Sequence, residues 1–161
     1  YEVPVGFKYI SAKMAQTNAV IGGESSGGMA VRGHISGKDG IYAAALLVEM
    51  LAVTGKSVSQ LYREITDKYG MLYYEDAAFT MTQARKAELQ EKLFVKLEVP
   101  DFGNTVEKIN RTDGCKVYFT DGSWVICRFS GTEPLLRMAA EADTQDEAER
   151  YIRVWRDFLK L

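Results

Sequence analysis

Lys116-Val117-Tyr118-Phe119-Thr120-Asp121-Gly122-Ser123-Trp124-Val125-Ile126-Cys127 is the stretch whose reading decides the fold of the second half of the chain. Two runs rich in aromatic and β-branched residues flank Asp121-Gly122. That arrangement is the signature of a β-hairpin closed by a type I′ turn. Directly downstream stands Arg128-Phe129-Ser130-Gly131-Thr132-Glu133-Pro134, a polar turn with a stiff exit. Leu135 to Ala142 then reads as a further strand. Thr144-Gln145-Asp146-Glu147 has capping-box spacing. It opens a helix with Ala148, Tyr151, Ile152, Trp155, Phe158 and Leu159 on one face.

Upstream of the hairpin, Leu72 to Met81 reads as a strand and Gln83 to Phe94 as a helix. Residues 95–110 are irregular, with Pro100 and Gly103 as breakers. A unit that starts near Met71 is therefore strand, helix, hairpin, strand, helix. This is an α+β arrangement: an antiparallel four-stranded sheet covered by two helices. The first 70 residues are α/β in character. Phe7, Ile10 and Met14 form a helical stripe, while Ala19 to Gly22 and Met29 to Arg32 read as short strands. Asp39 opens a helix apolar on nearly every side through Ala52; its Ile41–Val48 run reads as buried, and Gly55 ends it. Ser57 and Gln60 cap another helix, with Leu61, Ile65 and Tyr69 inward and Gly70 closing it.

The 161 residues are 47% apolar and 26% charged, with a net charge of −2. Nothing in that balance calls for a nucleic acid or an anionic membrane as partner, and any anion site must be local. No apolar run approaches the roughly 20 residues of a membrane span. The N-terminal Tyr1-Glu2-Val3-Pro4-Val5-Gly6 is unlike a signal peptide. It carries no initiator Met, so the chain reads as a fragment. Cys115 and Cys127 read as free thiols of a cytoplasmic protein, and one His with two Cys is a poor structural zinc set.

Arg128, Ser130, Gly131 and Thr132 together carry the chemistry of an anion cradle. A guanidinium offers a rigid fork of donors that matches phosphate. Two hydroxyls add donors that rotate to suit, and Gly131 lets the backbone come close. Glu133 would repel a phosphate, so it is expected to turn away toward Arg137, which is itself a weaker candidate for the cradle. A second polar loop, Gly22-Gly23-Glu24-Ser25-Ser26-Gly27-Gly28, lies about a hundred residues upstream. It is not a Walker loop, since no Gly-Lys-Ser/Thr follows. Its Gly23-Glu24-Ser25-Ser26-Gly27 has the letters of a hydrolase elbow, but no acid separates Ser25 from the sole histidine, His34. Glu24 and Ser26 instead suit neighbouring sugar hydroxyls. Lys38, just before the Asp39 helix, can gather negative charge there. His34 reads as a neutral hydrogen-bonding residue.

These residues resemble the α-D-phosphohexomutases, the phosphoglucomutase/phosphomannomutase superfamily. Gly22 to Gly28 is similar to the sugar-binding loop of their third domain, followed by a similar His34-Ile35-Ser36-Gly37-Lys38-Asp39-Gly40-Ile41. Arg128 to Arg137 is similar to the phosphate-binding loop of their fourth domain. The resemblance implies residues 1–70 as the C-terminal part of domain 3 and residues 71–161 as domain 4, the latter with a TBP-like sheet. It implies Glu24 and Ser26 on sugar hydroxyls and Lys38 near the reacting end. Arg128, Ser130, Gly131, Thr132 and Arg137 would hold the phosphate that is not reacting. The reaction implied interconverts hexose 1-phosphate and hexose 6-phosphate through a phosphoserine and a hexose 1,6-bisphosphate, with Mg²⁺. The phosphoserine motif and the acidic metal loop are absent here, so no catalytic nucleophile and no metal ligand is expected in this chain. Domains 1 and 2 are the implied partners, and the chain alone is expected to be inactive. The alternative is a stand-alone module that binds a sugar phosphate or another anion.

Overall fold

The computed structural model describes residues 1–131 and 133–161. The chain divides into two compact units, Tyr1–Gly70 and Met71–Leu161. Among the described residues, no single helix is long and apolar enough to cross a membrane.

The first unit opens with α1 (Phe7–Thr17), which ends at Asn18 in the left-handed region, φ 52°. Asn tolerates that conformation because its short polar side chain bonds locally. The strands β1 (Ile21–Gly23) and β2 (Met29–Val31) then pair antiparallel, with Gly22 opposite Ala30. Gly22 is required by packing: a Cβ there would lie 2.5 Å from Ile10 Cγ2 and 2.7 Å from Met14 Sδ. Asp39 accepts from the N–H groups of Ile41 and Tyr42 and so caps α2 (Gly40–Thr54), which Gly55 closes at φ 65°. Ser57 and Gln60 form both halves of the capping box of α3 (Val58–Tyr69).

The helix starts and stops follow the sequence reading, but the expected burial does not. No residue of α2 is buried; Ile41 is 86% and Val48 65% exposed. Ile65 and Tyr69, expected inward, are also exposed. The reason is geometric. The 15-residue α2 is about 22 Å long at 1.5 Å per residue. The β1–β2 ribbon of the same unit has three residues per strand, about 10 Å, and the helix it packs against is chiefly α1. The apolar pattern of α2 is therefore not matched by a covering layer in its own unit.

In the second unit the elements are β3 (Tyr73–Thr80), α4 (Gln83–Gln90), β4 (Val106–Asn110), β5 (Cys115–Phe119), β6 (Trp124–Phe129), β7 (Leu135–Ala142) and α5 (Gln145–Leu159). The sheet order is β3-β7-β6-β5-β4, antiparallel throughout. The α+β reading holds, with five strands in place of the expected four. The additional strand, β4, lies in the stretch read as irregular. It is an edge strand bearing Glu107, Lys108 and Asn110, its register shifts between Val106 and Lys108, and its Ile109 packs on the core. Charge and a bulge are what protect an edge, and they also erase the alternation that marks a strand. The expected helix 83–94 gives way after Gln90 to a π-helical turn, Glu91–Val95.

Two local expectations are corrected. The hairpin turn is not type I′, which needs positive φ at both central residues. Gly122 alone takes positive φ, at 92°. The Gly122 N–H bonds Phe119 O and the Phe119 N–H bonds Ser123 O, the pattern of a longer loop with a glycine bulge. The Thr144 capping box is half formed. Thr144 Oγ1 accepts from the Glu147 N–H, whereas the Glu147 carboxylate turns to Asn104, Arg150 and Tyr151.

One face of the sheet carries the core. Val117, Phe119, Val125, Cys127, Leu136, Met138 and Ala140 alternate inward and meet Leu89, Leu93, Tyr151, Trp155 and Leu159 from the helices. Each large apolar side chain buried this way contributes about 1.5–3 kcal/mol. Cys115 and Cys127 sit directly opposite one another, free and buried. Burial pushes both thiol pKa values up, which keeps them protonated and unreactive. At the hairpin end, Ser123 Oγ donates to Asp121 and lies 2.9 Å from the Tyr151 hydroxyl, which donates to Glu147. Asn104 Nδ2 bridges Asp121 and Glu147, tying turn, loop and α5 together.

Candidate functional site

Two clusters collect the residues singled out from sequence, one in each unit. In the first unit the Gly23–Gly28 turn joins β1 to β2 and closes on itself. The Glu24 N–H bonds Gly28 O at 2.8 Å and the Gly27 N–H bonds Glu24 O at 3.0 Å. Lys38 Nζ donates to Glu24 Oε2 at 3.0 Å, so two of the three expected sugar-end residues meet. Lys38 also lies over the Phe7 ring, 5.5 Å from its centroid. Ser26 projects from the same turn and is exposed.

His34 sits beside this cluster as a hydrogen-bonding residue. Its Nε2 is 2.8 Å from Asp39 Oδ2, and its ring stacks on Tyr42 with centroids 3.9 Å apart. The Asp39 carboxylate therefore serves both the helix cap and the imidazole. Bonds from the Tyr42 N–H and from His34 hold its pKa below the ordinary carboxylate value.

In the second unit, Arg128 on β6 and Arg137 on β7 are direct cross-strand partners. Both project from the face opposite the core, since their neighbours Cys127, Leu136 and Met138 point inward. Two like charges opposite each other destabilise a sheet unless an anion lies between or beside them. Glu133 supplies part of that need: Arg137 Nη2 donates to Glu133 Oε2 at 2.8 Å, the turn-away expected from sequence. With side chains 48% and 52% exposed, this is a surface pair worth little. A phosphate can replace it at small cost.

The turn between the two arginines is tightly held. The Ser130 N–H bonds Leu135 O at 2.8 Å and the Met81 N–H bonds Pro134 O at 3.0 Å. Ser130 is only 6% exposed. Its Oγ accepts from the Glu133 N–H at 3.2 Å, which leaves the hydroxyl proton to donate. Gly131 is exposed, and a Cβ there would meet nothing within 4 Å. Its φ stays outside the left-handed region, so neither packing nor backbone strain asks for glycine. Thr132, expected in the cradle, lies outside the described residues.

Sequence reasoning missed Gly114, which is part of how Arg128 is set. A Cβ at Gly114 would lie 2.6 Å from Cys127 O and 2.8 Å from Arg128 Cβ. The chain before β5 can thus press against the strand end that carries the guanidinium. A lone glycine before a strand gives no sequence signal of this, because the close approach comes from a strand paired across the hairpin. No three His, Cys, Asp or Glu gather to hold a metal ion among the described residues.

Residues 1–69 match the family described as Phosphoglucomutase/phosphomannomutase, alpha/beta/alpha domain III. Residues 78–155 match Phosphoglucomutase/phosphomannomutase, C-terminal domain. A Thermococcus kodakarensis Phosphoglucomutase/phosphomannomutase is 31% identical over 150 residues, 93% of this chain and 30% of that protein. A Streptococcus thermophilus Phosphoglucosamine mutase is 28% identical over 156 residues, 97% of this chain and 31% of its own length. A crystal structure from Thermus Thermophilus superposes with a TM-score of 0.72 at 26% identity, over 99% of this chain and 31% of that one. The chain thus spans about a third of the length of the relatives it matches. It belongs to the phosphoglucomutase/phosphomannomutase family, as its C-terminal portion.

Proposed function

We propose that this chain is the substrate-recognition part of a phosphohexomutase, an enzyme that interconverts hexose 1-phosphate and hexose 6-phosphate. Glu24 and Ser26 read sugar hydroxyls, and Lys38 stands near the reacting end. Arg128, Ser130, Gly131 and Arg137, with Thr132, hold the phosphate that is not being transferred. The observation that carries this reading is the Arg128–Arg137 cross-strand pair beside the Ser130 hydroxyl. Two guanidinium groups on one face of a rigid sheet, next to a hydroxyl donor, are a preorganised phosphate clamp.

In this reading the chain contributes positioning and charge balance, the main demands of phosphoryl transfer on a protein. A phosphoserine in another domain gives its phosphoryl group to the free sugar hydroxyl, making a hexose 1,6-bisphosphate. The bisphosphate turns around, and the other phosphoryl group returns to the serine oxygen. Mg²⁺ would supply charge neutralisation at the transferring group. Following the resemblance to the phosphohexomutases, its ligands are proposed to lie in domain 2, with none assigned to this chain. The whole enzyme is proposed to work in the cytoplasm.

The test has two arms. Purified 1–161 should not turn over glucose, mannose or glucosamine 1-phosphate, while the full-length polypeptide carrying it should turn over at least one. In the full-length protein, Arg128→Ala should lower kcat/KM. An unchanged kcat/KM sinks the clamp assignment, and turnover by the isolated chain sinks the claim that the chemistry lies elsewhere.

A further inference from the structure

Gly28 closes the Gly23–Gly28 turn, and nothing in its own backbone demands glycine. Its φ lies outside the left-handed region, in contrast to Gly27 at φ 90°. What glycine supplies here is space. A Cβ at residue 28 would lie 2.4 Å from Lys38 Cδ, 3.3 Å from Lys38 Cγ and 3.0 Å from Glu24 Oε2. A separation of 2.4 Å between carbons is far inside the 3.5–4.0 Å of good contact. The Lys38 stem therefore crosses the turn through the volume that a side chain at 28 would fill. Beyond that crossing its ammonium reaches Glu24 at 3.0 Å.

We infer that Gly28 is a positioning residue: by carrying no side chain it admits Lys38 across the sugar loop and sets its ammonium on Glu24. This rests on the recognition role proposed above for Glu24 and Lys38, and it says how the two come to act as one unit. The bond to Lys38 Nζ occupies Oε2 and orients the carboxylate, which leaves Oε1 to accept from a sugar hydroxyl. A methyl group at 28 would expel the Lys38 stem and leave Glu24 free to rotate. The loop would keep both charged groups and lose their alignment, which is the quantity that positioning supplies.

The test is a double-mutant cycle in the full-length polypeptide, read as kcat/KM with glucose, mannose and glucosamine 1-phosphates as probes. Gly28→Ala is expected to lower kcat/KM about tenfold and to add no further loss in a Lys38→Ala background, the non-additivity of residues in contact. Gly27→Ala, which acts through backbone strain, is expected to cost the same in both backgrounds. Glu24→Gln paired with Gly28→Ala reads the same alignment from the carboxylate side and should also be non-additive. Equal Gly28→Ala losses with and without Lys38 overturn the inference and leave the recognition reading standing. If Lys38→Ala and Glu24→Gln each leave kcat/KM unchanged, the recognition reading itself fails. Gly28 lies in an accessible turn with a φ that alanine adopts, so the variant is compatible with the fold.

Discussion

The two units carry helix signals of similar quality and differ in what those helices cover. In the second unit, seventeen residues from Leu89 to Leu159 form one buried cluster. In the first unit only Ile10 and Ala30 are buried among the described residues. The capping box of α3 is nonetheless complete, while that of α5 is half formed. Caps and periodicity are satisfied within about one turn of chain. Burial needs a partner surface of matching length, and the short β1–β2 ribbon does not provide one for α2.

That contrast can be broken by experiment, beginning with its largest expected effect. Trp155→Ala should lower the unfolding free energy of the second unit by about 3–5 kcal/mol in a urea titration. Val53→Ala on α2, at a side chain 80% exposed, should shift stability by less than about 0.5 kcal/mol. Comparable losses from the two would erase the distinction between the units.

The proposed recognition residues offer the next comparison, between a cation mounted on a strand of the second unit and one mounted on a loop of the first. Arg128→Ala should cost about 2–4 kcal/mol of transition-state stabilisation, from kcat/KM of the full-length enzyme. Lys38→Ala should cost less, because Lys38 is exposed and held by one ion pair at its tip. A larger loss at Lys38 would place the stronger phosphate contact in the first unit.

The caps sharpen the comparison at a smaller scale. Ser57→Ala and Thr144→Ala should each cost about 1 kcal/mol, read as faster amide exchange in the first turn of α3 and of α5. A cap that mattered only where the helix face is buried would show loss at Thr144 and none at Ser57.

The smallest effect is the response to acid. The Ser123 hydroxyl and N–H and the Asn104 amide hold the Asp121 pKa below its ordinary value, against the opposing effect of burial. At Glu147 burial pushes upward, and bonds from Asn104, Tyr151 and Arg150 outweigh it. A carboxylate with a depressed folded pKa stabilises fully above its unfolded value, about 3.9 for Asp and 4.3 for Glu. That stability is lost as pH falls through the folded value. Asp121→Asn should therefore flatten the loss of stability of the second unit below about pH 4. An unchanged slope would show that this network leaves acid stability untouched.

Much of the fold was legible in the residues themselves, and the residues of the proposed site were named from the sequence alone. Leu135 to Ala142 is a strand with the expected ends, and α5 buries Ala148, Tyr151, Ile152, Trp155 and Leu159 on the expected face. Strict alternation and 3.6-residue spacing are strong signals because each covers a whole element. The edge strand β4 was not legible, since Glu107, Lys108 and a bulge hide its single inward Ile109. Asp121-Gly122 marked the hairpin, but the conformation of its loop depends on the Ser123 bonds to Asp121 and the hydroxyl of Tyr151, a residue 28 positions away.

The sequence by itself determined the helix caps, the hairpin, the inward faces of the second unit and the residue types of the proposed phosphosugar site. These follow from chemistry within a few residues, where spacing alone dictates which groups meet. Only the tertiary structure decided that Arg128 faces Arg137 across two strands, that Glu133 takes one of the pair, that Gly28 leaves room for the Lys38 stem, and that Gly114, at φ 96°, lies close against Cys127 and Arg128. Those facts rest on close approach between segments brought together by the fold, and a volume left empty for a distant side chain writes nothing beside it in the chain.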